Sequence, residues 1–158
     1  MGGLKRSISA VLVMLSWLAS TNILADSIDG QYVAGYEVIY VDRSLNDQSR
    51  VGDTDVFSMV VQDGKLVDII VDGDPDFNRA SRSYEDIRID TNARTAKGVI
   101  KQKSSEQGMQ IRVELITDII FGEKTFVGTV DIKLISAGGR SFNKIVEKGV
   151  FEGIKVQK

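Results

Sequence analysis

The amino-acid sequence predicts an all-β protein: one antiparallel meander of about eight strands closed into a small soluble barrel, with a β-sandwich as the alternative. Three observations predict it. The dominant hydrophobic period is two, as in Ile111-Arg112-Val113-Glu114-Leu115 and Val130-Asp131-Ile132-Lys133-Leu134, which is the mark of half-buried strands. Turn signals at Asp63-Gly64, Gly122-Glu123 and Gly138-Gly139 punctuate those runs. Beyond residue 25, no stretch carries a convincing amphipathic helical period.

The N-terminal segment has a different character. Lys5 and Arg6 form a short positive region, residues 10–15 with Trp17, Leu18 and Ala19 are apolar, and Ile23-Leu24-Ala25 ends on a small residue. That order predicts a secretory signal peptide over residues 1–25, with the mature chain starting at Asp26. The apolar run is marginal for a span of roughly 20 residues and is interrupted by Ser16, Ser20, Thr21 and Asn22, so no stable membrane insertion is expected after cleavage. Cysteine is absent, which excludes both a lipid-modified N-terminus and disulfides. An exported domain without disulfides is expected in a bacterial periplasm or secreted beyond it.

Residues 26–158 are expected to form a single domain, large enough to bury a core. Loss of Lys5 and Arg6 with the signal peptide leaves 18 basic against 22 acidic side chains, a net charge of −4. Such a chain offers no basic field for nucleic acid or anionic lipid. The oligomeric state is not legible in the sequence.

The strands are expected near residues 30–42, 54–62, 65–71, 87–90, 96–103, 109–121, 125–135 and 142–156. Residues 77–86 are the one segment expected to hold a short helical turn. Asp63-Gly64 fits a two-residue hairpin, whose central positions favour φ > 0. Around Gly122-Glu123 two registers keep one face apolar. The first sets Ile119 opposite Phe126 but opposes Glu114 with Asp131, which is unfavourable. The second, slipped by two residues, pairs Glu114 with Lys133 and is preferred. A meander of this length must close or stack to cover its apolar face and remove its edges. Lipocalin-like and avidin-like barrels are similar in size and layout, although none of their sequence motifs occurs here. A membrane barrel is disfavoured, because aromatic residues are only 7% of the chain and do not gather at strand ends as girdles would.

The composition excludes several chemistries. Histidine is absent, so Ser-His-Asp and Cys-His catalysis and His-ligated zinc are ruled out. No phosphate-binding or dinucleotide-binding glycine loop is present. The protein is therefore not expected to be an enzyme. The remaining catalytic option is a hydrolase built on two carboxylates, and it requires an acid pair roughly 5–10 Å apart in an open cleft. Glu147 is a candidate inward-facing carboxylate.

Two constellations carry the binding hypotheses. Tyr32, Tyr36 and Tyr40 recur every four residues, which on a regular strand places them on one face, as the wall of a ligand cavity, as an exposed rim that meets a partner, or as ordinary core or edge packing. The acidic segment from Asp72 to Glu85 offers Asp74, Asp76, Asn78 and Glu85 at positions one, three, five and twelve of a loop. Those are the oxygen-ligand positions of a Ca²⁺ loop. Arg79 stands where that loop needs Gly, and Ser81 where it needs an aliphatic residue. No cofactor is expected apart from this possible Ca²⁺.

The expected function is that of a non-enzymatic exported barrel that binds a small apolar ligand or an envelope protein. The alternatives are a calcium-stabilised extracellular or surface component and an acidic inhibitor of a cell-wall enzyme.

Overall fold

The computed structural model describes residues 27–45 and 48–156. The expected signal peptide, residues 1–25, lies outside the described residues.

Eight antiparallel strands form one sheet: β1 Gly30–Val41, β2 Thr54–Gln62, β3 Lys65–Val71, β4 Ser81–Asp90, β5 Thr95–Glu106, β6 Met109–Phe121, β7 Thr125–Ala137 and β8 Arg140–Val156. One short helix, α1 (Pro75–Arg79), links β3 to β4, and two single 3-10 turns lie between β1 and β2. The hydrogen-bonded order is β3-β2-β1-β8-β7-β6-β5-β4. The first and last strands are thus paired, and the sheet curls into a nearly closed barrel. Its seam falls between β3 and β4.

The hairpins follow their local chemistry. Asp63 and Gly64 take φ of 53° and 65°, and Gln62 faces Lys65 across that turn. The Asp29 carboxylate, just ahead of β1, accepts hydrogen bonds from the Asp63 and Gly64 amides at 3.1 and 2.9 Å. At the β6–β7 hairpin Phe121 faces Phe126 and Glu114 faces Lys133. This is the slipped register, in which opposite charges stand across from one another.

Arg82 on β4 bridges the seam. Its Nη1 donates to the Ile69 carbonyl of β3 at 3.3 Å, and its Nη2 donates to the Phe77 carbonyl of α1. Its Nε donates to Gln102 Oε1 on β5 at 2.9 Å, and its guanidinium lies 3.8 Å from the centre of the Phe77 ring. One side chain thereby ties both sides of the seam to the helix above it.

The core divides along the barrel axis. One end is closed by Tyr32, Phe121 and Phe126, with ring centres 5.2 and 5.4 Å apart about Tyr32. Phe57 and Phe151 extend this cluster toward the middle. Aromatic pairs at such distances and tilts contribute about 0.5–1.5 kcal/mol each beyond their burial. The opposite end carries the β1–β2 connection, α1, and the turns after β5 and β7. There the interior is not filled.

Candidate functional site

The unfilled end holds a cavity of about 350 Å³ that opens to solvent. Its deeper wall is apolar: Phe57, Leu66, Ile100, Leu115, Val130 and Phe151 face it from β2, β3, β5, β6, β7 and β8. These are the inward positions of alternating strands, so the period-two pattern that builds the barrel also sets the chemistry of its lining.

Polar groups enter at defined points. Glu147, on β8, is buried at 7% exposure. Tyr36, on β1, donates its hydroxyl to Glu147 Oε1 at 2.8 Å. Arg50, from the β1–β2 connection, pairs with Glu147 Oε2 at 2.8 Å. Both carboxylate oxygens are therefore engaged, as burial of a charge demands. Gly149 makes this arrangement possible: a Cβ there would collide with the Tyr36 ring. Burial pushes the Tyr36 phenol far above its ordinary pKa, and the neighbouring Glu147 charge adds to the rise. Tyr36 is thus a neutral donor at any physiological pH.

Thr117 is a further lining residue, on β6 between Leu115 and Ile119. It is 8% exposed, and its hydroxyl is the one buried side-chain polar atom among the described residues that has no hydrogen-bond partner. Such a group in an apolar wall carries a desolvation cost of about 1–3 kcal/mol.

The tyrosine ladder divides. Tyr32 is buried in the aromatic floor, 1% exposed, and donates its hydroxyl to the Ile28 carbonyl. Tyr36 lines the cavity. Tyr40 does not share their face: the pairing of β1 with β8 shifts between Val38 and Tyr40, and Tyr40 stands 40% exposed. A bulge adds a residue and reverses the facing of everything beyond it, so of the three only Tyr36 belongs to the site.

The acidic segment forms no ion-binding loop. It folds as α1, with Asp74 as its N-cap accepting from the Phe77 amide at 2.8 Å. Asn78 turns back onto Val71, receiving its amide at 2.9 Å and donating to its carbonyl at 2.7 Å. Asp76 lies 4.0 Å from Arg79, and Glu85 sits on β4 beyond the helix. Among the described residues no three acidic side chains are grouped to hold a metal ion. The four proposed ligands are thus dispersed, chiefly because Pro75 and the Asp74 cap start a helix where a Ca²⁺ loop would need an open turn.

A second concavity, about 860 Å³ and open to solvent, lies on the outer wall over β5–β8 and β1. The Lys97–Asp118 ion pair, 2.8 Å, lies in its lining. The interior cavity is the better candidate, since side chains from β1, β2, β3, β5, β6, β7 and β8 ring it and ligand sites surround what they bind.

The class defined by fold and site is an up-and-down antiparallel β-barrel with an internal cavity. Comparison with known proteins finds no matching family model, no similar curated protein and no similar solved structure.

Sequence reasoning missed Arg50, Arg82 and Thr117. Arg50 lies in an irregular connection with no periodicity to place it. Arg82 and Thr117 occupy inward positions where an apolar residue is the default expectation.

Proposed function

We propose that this protein is an exported, non-enzymatic barrel that holds a small, mainly apolar molecule in its interior. The cavity carries this reading. At about 350 Å³ it falls within the roughly 300–1,000 Å³ of small-molecule sites, and it pairs an apolar wall with a few fixed polar groups. A water occupies roughly 30 Å³ of liquid volume, so a ligand of about a dozen heavy atoms fits. Tyr36 and Arg50 each bond Glu147, which fixes three polar groups beside the apolar wall. The composition of residues 1–25 supports export to the periplasm or beyond. The ion pairs Lys97–Asp118, Lys101–Asp86 and Lys148–Asp131 on the outer wall support a water-facing exterior.

A second reading has its own observation. Ile120 faces Val127 directly on the outer wall, and these two with Ile154 are 57%, 46% and 59% exposed. This favours an envelope protein as partner.

Native mass spectra of the chain from Asp26, recorded before and after unfolding, test the first reading. An added mass of a small organic molecule that disappears on unfolding supports it. A bare mass, together with failure of apolar probes to bind, overturns it and leaves the outer wall as the binding surface.

A further inference from the structure

We propose that the cavity gauges the length of a linear amphiphile, which enters apolar end first and leaves its polar end at the mouth. This rests on the cavity being a ligand site. Its lining changes character along the strands. On β2 Asp55 stands toward the mouth and Phe57 deeper. Going inward on β5, Ser104 and Gln102 precede Ile100, and on β8 Glu147 precedes Phe151. The Thr117 hydroxyl is inaccessible, so it does not interrupt the apolar depth. A polar group carried past this boundary would lose its water without gaining a partner. The apolar end therefore goes in first.

The depth has a fixed stop. Phe57 and Phe151 line the cavity and also pack on the buried Phe126 of the closed end, with ring centres 6.3 and 5.8 Å from it. Phe151 lies against the bare backbone of Gly128, and Phe126 against that of Gly153. A Cβ at either glycine would collide with the ring. Rings seated on glycines within a close-packed floor have no room to retreat. Volume then sets a length. About 350 Å³ holds an alkyl chain of about ten carbons with one small polar group, at roughly 30 Å³ per heavy atom.

Hexanol, octanol, decanol and dodecanol, each competing with α-naphthylamine for the chain from Asp26, test this. The four alcohols and the fluorophore are uncharged at neutral pH, so only length varies along the series. Affinity should rise about fourfold per added methylene as far as decanol and then stay level, since further methylenes remain in water at the mouth. A decanol carrying a second hydroxyl at the far end of its chain should bind about tenfold more weakly, because that hydroxyl would be buried against the rings. Phe151→Leu should carry the rise on to dodecanol. Leu115→Phe, which fills the apolar wall, should stop it at octanol. Melting temperatures verify that both variants fold.

An affinity that climbs evenly through dodecanol, a diol that binds as tightly as decanol, or a break that stays at decanol in the folded variants overturns the length gauge while the cavity reading stands. Alcohols that leave the bound fluorophore in place, or a fluorophore that does not bind, overturn the cavity reading itself.

Discussion

Tyr36 and Glu147, separated by 111 positions in the chain, are joined by a 2.8 Å hydrogen bond across the paired first and last strands. The bond depends on Gly149, over whose Cα the Tyr36 ring lies, a ring covering a cross-strand glycine. Arg50 holds the other carboxylate oxygen. The pairing of the first and last strands and the polar corner of the cavity are therefore one structural feature.

Tyr36→Phe should lower stability by about 1–3 kcal/mol, because it withdraws a donor from a buried carboxylate. It should also change the alkaline limb of the stability profile. The folded Tyr36 phenol ionises far above the unfolded value, which is near pH 10. Its contribution is complete below about pH 10 and declines above it, where the unfolded chain loses the proton first. Burial raises Tyr32 and Tyr84 in the same direction, so the variant should flatten the decline without abolishing it. Urea midpoints at neutral and alkaline pH check this, and an unchanged alkaline slope would count against it.

Gly149→Ala should displace the Tyr36 ring and cost about 1–3 kcal/mol through overpacking. It should also make Tyr36→Phe nearly free of further cost, since the hydrogen bond is already lost. A double-mutant cycle measures that coupling, and simple additivity of the two substitutions would refute the link.

Arg82→Met should loosen the seam selectively. It removes the bonds to Ile69 and Phe77 while leaving the ladders elsewhere intact. Hydrogen exchange at the amides of β3 and β4 should accelerate, with β6, β7 and β8 still protected. Uniform acceleration across all strands would mean that Arg82 supports the whole barrel rather than its seam.

Calcium should leave the melting temperature unchanged. Asp74 is committed to capping α1 and Asn78 to Val71. A rise in melting temperature with Ca²⁺ that Asp76→Ala abolishes would show that this segment can rearrange around the ion.

Much of the barrel was legible because long stretches of its strands, such as Ile111–Leu115 and Val130–Leu134, alternate apolar with charged residues. The β6–β7 register followed from the requirement that Glu114 meet Lys133 and not Asp131. β4 was less legible. It begins at Ser81, well ahead of the expected residue 87, because its polar first half borders the seam and a bulge between Ser83 and Asp86 breaks the alternation. Tyr40 was misplaced for a related reason. In Val38-Ile39-Tyr40-Val41 both faces read as apolar, so the pattern holds no sign of the bulge. The acidic segment showed its oxygen ligands but hid the competing helix start at Asp74-Pro75. Within the site, parity alone indicated Glu147, whereas its partner Arg50 comes from a connection whose path only the folded barrel fixes.

The central claim, that the interior receives a small apolar ligand, is tested most directly by titrating an apolar fluorophore against the chain from Asp26 and its Ile132→Trp variant. Ile132 lines the cavity, and an indole there fills space that a ligand would need. The account predicts one bound probe per chain in the wild type and none in a variant that keeps its circular dichroism and melting temperature. Undiminished binding to the folded variant would contradict it and move the site to the outer wall.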